Sequence, residues 1–361
     1  MAKLRVGIVF GGRSVEHEVS IASATAIRDA LDPELYETTL IAISHEGRWH
    51  IGAPGMLPAS VVQGEEVTLP AVPGSRQLRP AGGGEPTAEL DVIVPIVHGS
   101  GGEDGTLQGF LEMAGIPYVG SGVLGSAVQM DKDVAKQLLA AAGIPVVPWV
   151  TVRAHELARD ETAVAERAIA EIGLPAFVKP SNSGSSVGIA KVKQASEMAA
   201  ALREAARYDS KVLVEQSVDA REIEVAVLGN DAPEASVPGE IIPKTEWYDY
   251  ESKYVDEETE LVVPAEISPE LTERLRSLAI DAFGVLEGAG LARVDFFLER
   301  GTDRVYLNEM NSLPGFTEVS MYPRLWHASG LPFPALLNRL IELAVERGRQ
   351  RQAFERTYHI G

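Results

Sequence analysis

Two short polar pairs sit inside apolar runs near the end of the chain: Arg293-Val294-Asp295 and, after a turn, Glu309-Met310-Asn311. Along a strand, residues two apart point to the same face. Arg293 with Asp295 and Glu309 with Asn311 are therefore two same-face pairs, interleaved with Val294, Phe296 and Met310 toward a core. A hairpin whose loop covers Glu299 to Asp303 puts all four polar side chains on one face. Two carboxylates and an amide oxygen are hard donors. They suit Mg²⁺, which takes few protein ligands and completes its shell with water and substrate phosphates. The bland alternative is a solvated sheet face, weakened by two pairs in register and by the adjoining Pro314-Gly315.

Two glycine-rich stretches could bind anions. Lys179-Pro180-Ser181-Asn182-Ser183-Gly184-Ser185-Ser186-Val187-Gly188 offers backbone N–H groups that can wrap a phosphate, with a lysine as a point charge. It is not a P-loop, because no Gly-Lys-Ser/Thr opens a helix. The run from His98 to Gly109 combines glycines, a histidine, Glu103 and Asp104 directly after an apolar strand. Its groups face the ligand side of a parallel sheet.

These residues need elements to hold them. Leu4 to Phe10 reads as a buried strand and Gly11-Gly12 turns the chain. Ser20 to Leu31 has helical periodicity, with a second strand near Thr38 to Ser44 and a third from Asp91 to Val97. A helix over Thr106 to Ala114 completes an alternating pattern that predicts a parallel sheet. Gly52 to Glu89, rich in Pro and Gly, reads as loop with short strand pieces. Asp131 caps a helix that ends at Gly143. Short strands are expected at 176–179, 189–192, 211–216 and 222–228, helices at 269–286 and 334–347, and a frayed basic tail beyond Arg347. Pro243 to Glu258, polar and aromatic without period, reads as a lid.

Composition narrows the function classes. A chain of 361 residues can hold two or three cores, and its formal charge of −20 argues against nucleic-acid or anionic-membrane partners. With no cysteine, disulfides, thiolate catalysis and Cys-ligated zinc are excluded. No stretch reaches the roughly 20 apolar residues of a membrane span, and no signal peptide is read at the N-terminus. The expected location is the cytoplasm.

Taken in order, several stretches resemble the D-alanine–D-alanine ligases of the ATP-grasp superfamily, and the resemblance covers nearly the whole chain. They are Gly11 to Glu16 with Glu18-Val19-Ser20, His98 to Leu111, Met130-Asp131-Lys132, Lys179 to Gly188, Tyr248 to Tyr254, Arg293 to Asp295 and Glu309 to Gly315. The resemblance implies an α/β (α+β) fold of three domains. These are an N-terminal parallel-sheet domain (1–120) and two domains (121–218 and 219–361) that grip ATP between antiparallel sheets. It implies Lys132, Lys179 and Ser186 at the phosphates and Glu215, Gln216, Val218 and Glu222 around adenine and ribose. Asp295, Glu309 and Asn311 are expected to hold two Mg²⁺ or Mn²⁺ ions.

The implied reaction, a step toward peptidoglycan precursors, joins two D-alanines through an acyl phosphate. Glu16 pairs with the first substrate's ammonium, with His98 and Glu103 shaping that site. Ser185 and Tyr254 complete a set with Glu16, while Ser320 and Lys253 meet the second substrate's carboxylate. Arg293 and the backbone N–H of Gly315 stabilise the tetrahedral oxyanion. A homodimer is implied by resemblance alone. The nearest rivals are ligation to D-lactate or D-serine, disfavoured by the Lys253-Tyr254 pair, and a nucleotide-binding module without catalysis, disfavoured by the intact polar set.

Overall fold

The computed structural model describes residues 2–53, 55–184, 187–242 and 260–355. Strand Leu4–Gly11 is the hub of the N-terminal part, with Val6, Ile8, Val9 and Phe10 fully buried. A strand apolar on both faces needs cover on both sides. Helix His17–Ala30 supplies one side through Ala24 and Ile27, and helix Thr106–Ala114 the other through Leu107 and Leu111. Tyr36–Ile43 and Val92–Ile96 flank the hub, both parallel to it. The parallel expectation holds for these three strands only. Trp49–Ile51, Glu65–Thr68, Gln77–Pro80 and Ala88–Glu89 extend the sheet to seven strands by antiparallel pairing. The Gly52 to Glu89 stretch is thus loop with short strand pieces, as expected, and those pieces extend the edge of the sheet through turns instead of crossover helices.

Two antiparallel sheets follow, as the resemblance implied. The four-stranded one runs Ala190–Val192, Ala176–Pro180, Lys211–Gln216, Trp149–Arg153, backed by helices Glu161–Ile172 and Ala195–Ala205. The other has Ala220–Gly229 and Gly290–Glu299 at its centre, Val305–Asn311 at one edge, and Gly239–Ile242 then Glu260–Val262 at the other. Helix Pro269–Val285, whose Ser268 cap accepts from Leu271 N–H, packs on one face.

Helix Phe333–Gln352 runs further than its periodicity predicts, and the reason is tertiary. Leu337, Leu340 and Ile341 join one core with Ile8 and Val94 of the first sheet and Leu291 of the third. Arg347, expected to begin a frayed tail, lies over the Tyr118 ring, 4.7 Å from its centroid, and donates to the Tyr118 carbonyl at 3.1 Å. Residues 356–361 lie outside the described part.

Candidate active site

The hairpin Gly290–Glu299 with Val305–Asn311 brings its polar pairs together by a device that alternation alone does not reveal. Glu299 belongs to the first strand and the second begins at Val305, so the loop is displaced by one residue from the expected position, to 300–304. Near the turn the pairing runs Leu298↔Val305 and Phe296↔Leu307. Carried on, that register would face Asp295 with Asn308 and turn Glu309 and Asn311 to the opposite side. The register shifts by one between Phe296 and Asp295, leaving Asn308 as the extra residue of a β-bulge, so that Asp295 faces Glu309 and Arg293 faces Asn311. Met310 and Phe296 are thereby kept in the core.

On the polar face, Arg293 donates from Nε and Nη2 to both oxygens of Asp295, each at 2.7 Å, and its Nε lies 2.9 Å from Glu224. Burial alone would weaken the guanidinium's hold on its proton. Asp295 and Glu224 outweigh it and hold Arg293 well above the ordinary arginine range. Asn311 donates to Asp295 at 2.9 Å, and Lys132 Nζ lies 3.3 Å from Glu309. Two opposed carboxylates and an amide oxygen, with cations close by to balance excess negative charge, fit a hard divalent ion bound to phosphate oxygens.

Behind this face lies a buried cation cluster. Asp131 caps helix Lys132–Ala141 by accepting from Val134 N–H, and this cap orients Lys132 and, one turn on, Lys136. Lys136, 1% exposed, lies 3.1 Å from one Glu215 oxygen, while Lys179 lies 2.6 Å from the other. Burial by itself would raise the Glu215 pKa; the two ammoniums outweigh it and hold it below the usual carboxylate range. Lys211 pairs with Asp131. Lys132, Lys179 and Glu215 of this cluster wall a cavity of about 630 Å³ that is also lined by Gln216, Val218 and Glu222.

A second cavity of about 630 Å³ opens toward the N-terminal sheet, lined by Glu16, His98, Glu103, Gly315 and Ser320. Gly99 has φ +76°, and a Cβ there would stand 2.5 Å from a Glu16 oxygen, so only glycine leaves room for that carboxylate. The Glu103 carboxylate accepts from Gly99 N–H at 2.7 Å. Burial first, and then the charge of Glu16, push its pKa up to about 8, so Glu103 keeps its proton at neutral pH. His98 donates from Nδ1 to the Leu313 carbonyl at 3.1 Å and accepts from Ser23 Oγ at 3.2 Å, the tautomer that satisfies both contacts. Burial lowers its pKa and keeps the ring neutral. Ser23 also accepts from Phe316 N–H at 3.3 Å, and Ser320 Oγ accepts from Thr317 N–H at 3.1 Å, fixing the loop around Gly315.

The two cavities share a wall made of Lys132, Ile189, Glu224, Ile241, Arg293 and Glu309. Of the residues singled out in the sequence, Ser185, Ser186, Lys253 and Tyr254 lie outside the described part, as does the expected lid. All the others line one cavity or both. Sequence reading missed Lys136, Glu224, Ser23 and Asn308. Lys136 stands one helical turn after Lys132, and Glu224 shares a strand face with Glu222, so alternation held a signal for both. Nothing local marks Ser23 or Asn308.

Comparison with known proteins agrees with this geometry. Residues 5–121 match the model of the D-ala D-ala ligase N-terminus, and residues 138–342 that of the D-ala D-ala ligase C-terminus. The chain is 51% identical to D-alanine--D-alanine ligase A of Chromobacterium violaceum, with 99% of each covered. Among solved structures, the D-alanine-D-alanine ligase of Coxiella burnetii matches with TM-score 0.86 and 41% identity, over 98% of this chain and 97% of that one. A D-Ala:D-Ser ligase of Enterococcus faecalis matches with TM-score 0.85 and 32% identity, over 95% and 100%. With both halves matched and the fold shared over almost its whole length, the chain belongs to the D-alanine–D-alanine ligase family.

Proposed function

We propose that the chain joins two D-alanine molecules, using ATP to activate the first carboxylate as an acyl phosphate. The observation that carries this reading is the shared wall: two cavities meet at Arg293, Glu309 and Lys132. A nucleotide held by Lys179, Glu215, Gln216, Val218 and Glu222 would present its terminal phosphate there. The first D-alanine, its ammonium on Glu16, would present its carboxylate from the other side.

A carboxylate resists attack by an amine because oxide is its leaving group. Attack of its oxygen on the γ-phosphorus releases ADP and replaces oxide by phosphate as leaving group. Phosphoryl transfer depends chiefly on positioning and charge neutralisation. Divalent ions on Asp295, Glu309 and Asn311 supply neutralisation when bound. The protein's own contribution comes from Lys132, Lys179 and Arg293, preset in a buried field. The second D-alanine's amine then attacks the acyl carbon, phosphate leaves, and the amine's surplus proton leaves with it to solvent or phosphate. Arg293 and Gly315 N–H would bind the tetrahedral oxyanion; one such donor is worth about 3 kcal/mol. Protonated Glu103 leaves Glu16 without a second carboxylate charge from its neighbour when it meets the first ammonium.

Ser320 with Lys253 would hold the second carboxylate, and Ser185 with Tyr254 would close on Glu16; these roles rest on family resemblance. So do the three domain boundaries, Ser186 at the phosphates, homodimer assembly and a cytoplasmic site of action. No helix among the described residues is long and apolar enough to cross a membrane.

The test is ADP release coupled to product analysis with D-alanine, D-serine and D-lactate as second substrates, plus hydroxylamine trapping of the acyl phosphate. D-alanyl-D-alanine as the preferred product and a trapped hydroxamate are expected. ATP turnover without D-alanine dependence, or preference for D-serine or D-lactate, would overturn the assignment.

A further inference from the structure

At the rim of the acceptor cavity, whose lining includes Glu18, three side chains converge that the mechanism does not use. His17 and Glu18 open helix His17–Ala30, and His45 sits on the turn after strand Tyr36–Ile43. One ligand atom from each lies within 4.8 Å of the other two. We propose that His17, Glu18 and His45 form a binding site for a transition-metal ion of the Zn²⁺ class, separate from the hairpin carboxylates.

Three observations carry it. First, His17 Nδ1 lies 2.7 Å from the Gly12 carbonyl. Donation there puts the lone pair on Nε2, which is how metal-ligating imidazoles are usually held by their other nitrogen. Second, the His17 and His45 rings stack with centroids 3.9 Å apart and planes at 25°. Ligands around a tetrahedral zinc are about 3.4 Å apart at zinc–nitrogen distances near 2 Å. His17 is buried and pinned, whereas Glu18 and His45 are exposed. The stacking brings the two imidazoles together, and rotation of the exposed Glu18 and His45 side chains is the adjustment that would aim their donors at an ion beside His17. Third, two imidazoles and one carboxylate are borderline donors that select zinc, nickel or cobalt over Mg²⁺, which takes oxygen ligands.

The surrounding charge is mixed. Glu46, next to His45, adds a negative group, and the Arg13 side chain beside Gly47 adds an opposing one. An ion here would tie the start of the helix to the turn after the second strand. The segment Gly12 to Glu16, which carries Glu16 into the acceptor cavity, lies directly before that tie. Metal binding itself stands independently of the ligase reading.

The test uses the full chain stripped with EDTA and then held in saturating Mg²⁺, so that hard-oxygen sites are filled. ZnCl₂ is titrated calorimetrically, and CoCl₂ by visible absorption, which reports nitrogen ligation and low coordination number. One Zn²⁺ per chain is expected. His45→Ala and Glu18→Gln, both at exposed side chains, should each weaken it by roughly tenfold or more. Asp295→Asn should leave it intact. Circular dichroism of the two surface variants confirms that the fold is retained. Absence of Zn²⁺ binding under Mg²⁺, equal binding by the parent and His45→Ala, or loss of binding in Asp295→Asn would each overturn the site.

Discussion

Replacing Glu103 by Gln isolates one buried proton. In the folded chain, burial and Glu16 hold the Glu103 carboxyl at about 8, against an ordinary 4.5. Between those values the folded state keeps a proton that the unfolded state has released. This contribution to stability is therefore complete below pH 4.5 and is lost as pH rises to about 8. One unit of difference corresponds to about 1.4 kcal/mol, so the full span corresponds to about 5 kcal/mol as a ceiling. Gln keeps an acceptor for Gly99 N–H and carries no proton to lose. Denaturant midpoints of parent and Glu103→Gln should thus diverge steadily between pH 5 and pH 8 in favour of the variant. The expected slope is up to about 1.4 kcal/mol per pH unit, with divergence ending above the folded pKa. His98, whose pKa is lowered by burial, acts on the acid side in both chains and cancels in the difference. Parallel pH profiles would refute the claim that this carboxyl is neutral at pH 7.

Three other substitutions probe different parts of the site. Inserting one alanine after Asn308 should turn Glu309 toward the apolar face and cost several kcal/mol along with Mn²⁺ binding, whereas deleting Asn308 straightens the strand with Asp295 still opposite Glu309 and should spare Mn²⁺ binding; thermal melting and manganese EPR separate them. Glu215→Gln leaves Lys136 and Lys179 facing each other without their shared counter-charge, and should destabilise by about 3–5 kcal/mol in chemical denaturation. Gly99→Ala places a methyl against Glu16 and should raise KM for the first D-alanine by roughly tenfold or more, with the KM for ATP little changed. A rise in both constants together would contradict the separation of the two cavities.

The chemistry was legible in the sequence wherever it follows a short period. Alternation exposed Arg293 with Asp295 and Glu309 with Asn311, and the order of motifs along the chain pointed to the family. Asp131 as a cap and the helix Thr106–Ala114 depend on a few neighbouring residues, and both are found as expected. These features are local, so residue type and spacing suffice.

What the tertiary structure decided depends on partners far apart in the chain. Whether the two polar pairs share a face hangs on one inserted residue, Asn308, because a strand's period of two turns any slip of one into a reversal of faces. His98 is kept neutral by burial, in a pocket closed by a carbonyl 215 residues away to which its ring donates. Glu103 owes its proton to burial and to Glu16, and at Lys136 burial lowers the pKa while Glu215, across the fold, opposes it. Electrostatic environment depends on three-dimensional distance and on exclusion of water, and neither is written in any local stretch of sequence.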